Sequence, residues 1–189
     1  MSNEEATRTF PDVVLTSPRV TLRAFHQADV EEIQVACADP ITQRWLPLPF
    51  PYTREHAAGF ALEWAPAERL SGRGLVRAVE WDGRLAGAID LKRADWSEGV
   101  VEIGYWTSPP ARGRGVMTAA TRLLARWALE EMAFARIELR IASGNTASLR
   151  VAEKAGFIRE GVARSAGYVH AGRVDLVIYS LLSADLDGD

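Results

Sequence analysis

The run Arg112-Gly113-Arg114-Gly115-Val116-Met117-Thr118 contains the residue types that bind a phosphate. It follows the strand-like run Val100–Thr107 and the breaker Ser108-Pro109-Pro110. It opens a stretch in which Ala120, Leu123, Leu124, Trp127 and Ala128 recur at helical spacing. The first N–H groups of a helix have no internal partner and sit at the positive end of its dipole. A strand, a glycine turn and a helix start therefore combine into an anion site. Gly113 and Gly115 carry no Cβ to hold a phosphate away from the backbone, and Arg112 and Arg114 add charge-assisted donors at the rim. A P-loop would need a lysine before its Ser or Thr, and none stands here. A dinucleotide fingerprint would need a glycine where Thr118 stands. Taken alone, the two glycines read equally well as a turn that caps an ordinary helix.

The elements that position this loop are legible on both sides of it. Val20–Ala24 alternates as a first strand, and Gln27–Ala38 reads as a helix with Val30, Ile33 and Cys37 on one face. Cys37 is the sole cysteine and reads as a small core residue. Asp39–Tyr52, with four prolines among Trp45, Leu46, Phe50 and Tyr52, reads as a stiff loop. Thr53 is placed to cap a helix through about Ala67. Gly74–Trp81 and Arg84–Leu91 flank Asp82-Gly83, a strong hairpin signal, and Val100–Thr107 extends that sheet. After the glycine loop comes a helix to about Met132. Arg136–Ile141 then alternates as a strand, and a crossover helix makes it run parallel to Val100–Thr107. A short helix, Thr146–Ala155, is closed by Gly156, and strands Phe157–Ser165 and Val174–Leu182 join around Tyr168–Gly172.

At 189 residues, 48% hydrophobic and 25% charged, the chain suits one globular domain, residues 15–183, with a flexible segment 1–14 and a tail 184–189. A net charge of −3 argues against a general nucleic-acid surface. One cysteine and three scattered histidines offer no metal-ligand spacing. No apolar run reaches membrane-spanning length and Met1–Thr9 is polar, so the expectation is a cytosolic protein without a membrane partner. The oligomeric state stays open, a homodimer included.

The arrangement resembles the GNAT N-acetyltransferases, RimJ/RimL-like branch, over about residues 15–183. Arg112-Gly113-Arg114-Gly115-Val116-Met117 is similar to that family's pyrophosphate loop, with Met117 departing from its usual Gly or Ala. Asn145-Thr-Ala-Ser148 through Glu153-Lys154-Ala-Gly156-Phe157 resembles its Asn-x-x-Ser helix. Glu102-Ile-Gly104-Tyr105-Trp106 resembles its strand before the loop, and Glu160-Gly161, Arg164, Asp175 and Tyr179-Ser180-Leu181 its closing strands. The resemblance implies an α/β, mixed-sheet GNAT fold, a single three-layer domain with splayed central parallel strands. It also implies acetyl-CoA as co-substrate and no metal. The pantetheine arm would pair with Ile103, Tyr105, Trp106 and Thr107, and the pyrophosphate would rest on Arg112–Thr118, Val116 and Met117 included.

The implied reaction is transfer of acetyl to a primary amine by direct attack in a ternary complex. The acceptor would be a protein N-terminal α-amine or a small-molecule amine. A non-catalytic acyl-CoA-binding module is the reading from another class. By the same resemblance Ser148 protonates the leaving thiolate and Asn145 holds backbone and cofactor; as plain helix residues they would only cap Thr146–Ala155. Glu102 is placed to be the base, with Asp175, Glu160 and Asp90 as weaker alternatives. An amine with pKa near 8 needs less help than a lysine near 10.4. The acceptor pocket is expected at Trp45, Phe50, Tyr52, Glu102 and Asp175, beside the second helix and the Tyr168–Gly172 turn.

Overall fold

A computed structural model of the protein describes residues 8–188. Eight strands form one mixed sheet in the order β1-β2-β3-β4-β5-β6-β8-β7. Short strands β1 (Leu15–Thr16) and β2 (Thr21–Arg23) lead into α1 (Val30–Ala38). Strands β3 (Leu75–Trp81) and β4 (Arg84–Asp95) form the hairpin expected around Asp82-Gly83. Both turn residues lie at positive φ, 55° and 69°, as a primed turn requires. Strand β5 (Val100–Thr107) pairs antiparallel with β4, and α5 (Val116–Glu130) carries the chain over to β6 (Arg136–Ala142). Helix α6 (Thr146–Lys154) and the hairpin β7 (Ile158–Val169) and β8 (Gly172–Leu181) complete the sheet. Gly156, at φ 91°, takes the left-handed position after α6.

The stretch Asp39–Tyr52 departs from the expected loop, because Pro40–Trp45 is a helix, α2. Pro40 stands in its first turn, where a missing N–H costs nothing, and Asp39 Oδ2 accepts from the N–H groups of Ile41 (3.0 Å) and Thr42 (3.1 Å). Prolines were read as breakers, but at a helix start they are initiators. Gln43 Nε2 donates to the carbonyls of Cys37 (2.8 Å) and Pro49 (3.2 Å) and holds the rest of the loop against α1. The second helix also runs beyond the expected Ala67. It begins as α3 (Arg54–Ala58), passes through a π-helical segment Gly59–Trp64, and ends as α4 (Ala65–Leu70).

Part of the segment expected to be flexible packs on the core. Phe10 is fully buried and its ring lies 4.8 Å from Trp96 and 6.1 Å from Phe134. An aromatic ring of that size buried in a core outweighs the cost of ordering a few polar neighbours. The expected tail is likewise a short 3₁₀ turn, Ser183–Gly188, with Leu186 against the core. Residues 1–7 and 189 lie outside the described residues.

Two clusters cover the two faces of the sheet. On one, α5 and α6 bury Leu124, Ala128 and Ala152 against Ile89, Leu91, Ile103 and Leu139. On the other, α1 and α3 bury Ile33, Cys37 and Ala57 with Tyr52 against Ala78, Ala88 and Trp106. Strands β5 and β6, parallel as expected, pair only through Val100–Arg136, Val101–Ile137 and Glu102–Glu138. Beyond Glu102 the strands splay, while β5 stays paired to β4 as far as Thr107 and β6 to β8 as far as Ala142.

Candidate active site

The splay leaves facing edges, Ile103–Thr107 and Leu139–Ala142, whose backbone groups on the side of the gap have no strand partner. An unpaired buried peptide group costs about 1–3 kcal/mol, so such an edge is a place for an extended, amide-bearing ligand. A cavity of about 230 Å³ occupies it. Of the residues expected to serve cofactor or chemistry, Glu102, Ile103, Tyr105, Trp106, Thr107, Arg112, Asn145 and Ser148 line this cavity, and Trp45 of α2 joins them.

The glycine turn sits at the end of β5. Gly115, at φ 74°, is the residue before α5, and no side chain caps the first N–H groups of that 15-residue helix. Gly113 lies at φ 72°, and a Cβ there would meet no atom within 4 Å, so its backbone is open to a ligand. Val116 and Met117 are buried in the core, which leaves their peptide groups as the part that can face a phosphate. The two arginines are used differently from the expected rim donors. Arg112 donates to Asp39 Oδ2 (2.6 Å), Thr42 Oγ1 (2.9 Å) and the Thr107 carbonyl (3.2 Å), which ties α2 to the end of β5. Arg114 turns back on the Pro110 carbonyl (3.1 Å) and lies over the Trp81 ring. Burial works to raise the Asp39 carboxyl, but Arg112 and the N–H groups of Thr42 and Ile41 hold it below its ordinary value.

Asn145 performs the cap that its type suits, with Oδ1 accepting from the Ser148 N–H at 3.2 Å. Ser148 therefore has its backbone N–H satisfied, and it lines the cavity. Tyr105 Oη donates to the Ser148 carbonyl at 3.3 Å, and burial pushes the Tyr105 hydroxyl up to about 12, so it stays protonated. Glu102 is buried and doubly paired, with Lys92 Nζ at 3.3 Å and Arg93 Nη1 at 2.7 Å.

A second cavity, about 150 Å³, lies on the α1–α3 face of β4 and β5 and shares Leu46, Lys92, Gly104, Tyr105 and Trp106 with the first. Its remaining wall is mostly apolar and includes Cys37, Leu48, Tyr52 and Phe60. Burial pushes the Cys37 thiol up to about 12, which keeps it a core thiol. Of the expected acceptor residues, Trp45 and Glu102 face the splay and Tyr52 the second cavity. The other two stand apart. Phe50 is 84% exposed. Asp175 is exposed on β8, where its Oδ1 accepts from the Ser165 N–H at 2.7 Å within the β7–β8 hairpin. Lys92, Thr42 and Arg140 line the first cavity and were not singled out in the sequence. Lys92 stands opposite Glu102 through the pairing of β4 with β5, a register that the Asp82-Gly83 turn between β3 and β4 does not set.

The acetyltransferase (GNAT) domain family matches residues 19–158. The chain belongs to the GNAT acetyltransferase family. Bacillus subtilis (strain 168) YdaF, whose name points to a ribosomal N-acetyltransferase, is 40% identical over 116 residues, 61% of this chain and 63% of its own length. The matched stretch thus spans less than two thirds of that relative. A crystal structure described as a probable acetyltransferase superposes with a TM-score of 0.79 at 31% identity, covering 91% of this chain and 98% of the other. Mycobacterium smegmatis RimJ in complex with CoA-disulfide shares the fold at a TM-score of 0.83 and 22% identity, covering 97% and 91%. The mixed, open GNAT sheet with its splay is therefore the fold of this chain, and the RimJ/RimL-like branch holds its neighbours.

Proposed function

We propose that this GNAT domain transfers acetyl from acetyl-CoA to the α-amino group of a protein N-terminus. The carrying observation is the splay between β5 and β6, whose open edges run onto the uncapped start of α5 at Gly113–Thr118. Those edges and that helix start suit an amide-bearing arm followed by a pyrophosphate. The co-substrate supplies an acetyl group activated as a thioester. Ile103–Thr107 hold its arm by backbone pairing, and the N–H groups from Gly113 to Thr118 hold its phosphates. Ser148 gives a proton to the departing sulfur, oriented by the helix that Asn145 caps.

Glu102 is held at the splay between Lys92, which faces its Oε1, and Arg93, which faces its Oε2. Both oxygens are thus engaged, which leaves neither free for the amine. An α-amine, with pKa near 8, is partly neutral at physiological pH. The similarity to YdaF and the apolar lining of the second cavity support a peptide amine over a polyhydroxylated, polycationic one. The test measures CoA release with acetyl-CoA and a panel of acceptors: short peptides with free N-termini, N-blocked peptides bearing a lysine, and aminoglycosides. Turnover confined to free N-termini is expected. Turnover of aminoglycosides alone would make this a small-molecule enzyme, and acetyl-CoA binding without turnover of any amine would make it a binding module.

A further inference from the structure

Strand β5 has a notch. Register sets Asp90 opposite Gly104 and Lys92 opposite Glu102, so these side chains share the sheet face toward α1 and α3. A Cβ on Gly104 would stand 2.5 Å from Asp90 Oδ1 and 2.7 Å from Lys92 Nζ. Only a glycine at this place lets both heads lean over β5 toward the splay. The two then part company. Lys92 pairs with Glu102, whereas among the described residues Asp90 is in no ion pair, and its Oδ1 is buried without a hydrogen-bond partner. A carboxyl so placed lines the second cavity, one strand away from the first. A buried carboxyl oxygen without a partner is expensive and calls for a cationic or proton-bearing occupant.

Resting on the acetyltransferase reading, we propose that Asp90 and the 150 Å³ cavity receive the first residue of the acceptor, Asp90 taking its ammonium proton and the cavity its side chain. Cavities of about this size in apolar surroundings hold a benzene-sized group, so the pocket admits side chains up to that size. Leu48, Tyr52 and Phe60 make it favour apolar ones. Burial raises the Asp90 carboxyl above its ordinary value, with Lys92 and the Gly104 N–H opposing, which brings it closer to an amine in basicity. The other charged or titratable groups facing it are Glu102 on β5, Glu68 on α4, Cys37 on α1 and Tyr52. Burial pushes both the Cys37 thiol and the Tyr52 hydroxyl upward, so neither titrates near neutrality. In the step, the ammonium passes one proton to Asp90 and its nitrogen bonds to the acetyl carbon. The C–S pair leaves with sulfur, which takes the second nitrogen proton by way of Ser148, and Asp90 returns its proton to solvent.

The experiment compares wild type and Asp90→Asn in steady-state kinetics from pH 5.5 to 9, with acetyl-CoA and peptides beginning in Gly or Leu. A carboxylate that accepts the proton from a bound ammonium keeps wild-type kcat/KM level below the amine pKa near 8. Asp90→Asn should lose on the order of 10²-fold at pH 7 and climb about tenfold per pH unit toward pH 8, with acetyl-CoA affinity by calorimetry unchanged. Gly104→Ala, which displaces the same carboxyl, should reproduce that slope. Leu48→Trp should lower kcat/KM for the Leu peptide and spare the Gly peptide. A folded Asp90→Asn with wild-type rate and pH profile would overturn the proposal while leaving the acetyltransferase reading intact. A wild type that binds acetyl-CoA and acetylates no peptide would overturn both. Should Asp90→Asn fail to fold, a Gly104→Ala enzyme with an unaltered profile overturns the proposal alone.

Discussion

Strand β5 works on two sides, and the two are built from different materials. Its open edge toward β6, with the turn at Gly113–Gly115, is made of backbone: unpaired peptide groups, an uncapped helix start and glycines at positive φ. Its face toward α1 and α3 is made of side chains: Asp90, Lys92 and Glu102 beside an apolar wall. A backbone site tolerates many side chains but demands a topology and a few glycines. A side-chain site demands particular residues but little of the chain's local pattern. The first is thus shared across a family and the second sets what one member acts on.

The largest effect expected on the open edge comes from Ser148, the side chain proposed to protonate the leaving sulfur. Ser148→Ala should lower kcat roughly 10²-fold while acetyl-CoA affinity holds, because Asn145 already caps the Ser148 N–H and the substitution leaves that bond in place. Single-turnover rates would check it. A wild-type chemical step would reduce Ser148 to a wall of the cavity and make the open edge purely a backbone site.

Next in size are the glycines. Gly113→Asp should weaken acetyl-CoA binding tenfold or more, about 1.4 kcal/mol, because its carboxylate would stand in the open space proposed for the phosphates. Gly115→Asp should weaken it less, since Arg19 Nη2 lies 3.7 Å from that Cβ and would offset the charge. Both tolerate Asp at positive φ at a similar backbone cost of about 1–2 kcal/mol. Calorimetry that ranked the two variants in the opposite order would move the phosphates away from Gly113.

The same contrast explains what could be read before any coordinates. The open edge was legible because strand, breaker, glycine turn and amphipathic helix follow one another along the chain, and their topology is forced by the handedness of the crossover. The parallel pairing of β5 with β6 followed from that, whereas the splay came only through the family resemblance and its start after Glu102 only from the structure. The acceptor face was less legible because its parts meet across the sheet. Asp90 stood among the weaker alternatives for the base, since no local pattern announces that a carboxyl will be left without a partner. Arg112 and Arg114 looked like phosphate donors by proximity, but a distant partner, Asp39, engages the first and a local one, the Pro110 carbonyl, the second. Phe50 looked like its neighbour Tyr52 and lies outside.

Smaller effects are expected on the acceptor face, where contacts are apolar. Trp45→Ala and Tyr52→Ala should each raise the KM of a peptide acceptor about three- to tenfold, the worth of one aromatic contact, and leave acetyl-CoA affinity within about twofold. The two line different cavities, so their effects should multiply in the double variant. A rise in the acetyl-CoA dissociation constant for Trp45→Ala would assign that ring, which lines the cavity at the open edge, to the co-substrate and not to the acceptor.

The smallest effect concerns how the splay is held at its closed end. Arg136, where β6 begins its pairing with Val100, binds Glu138 (2.9 Å) on its own strand and Glu160 (2.6 Å) on β7, and Ser180 Oγ donates to Glu160 at 2.7 Å. Hydrogen bonds from Arg136, then Ser180, lower the Glu160 carboxyl to about 2 from an ordinary 4.5. A depressed carboxyl contributes stability above its unfolded pKa and loses it as pH falls through the folded one. The Tm gap between wild type and Glu160→Gln should therefore be full at pH 7 and shrink between about pH 5 and pH 2. Asp39, also depressed, is present in both proteins and cancels. The side chain of Glu160 is 41% exposed, and pairs of that kind contribute about 0–1 kcal/mol, so the gap should be no more than about 4 °C. Because the pairing of Arg136 lies at the far end of β6 from Ser148, kcat should stay at the wild-type value. A gap that persisted unchanged to pH 2 would mean that Glu160 stabilises the hairpin by packing, and that the closed end of the splay rests on its three strand pairs alone.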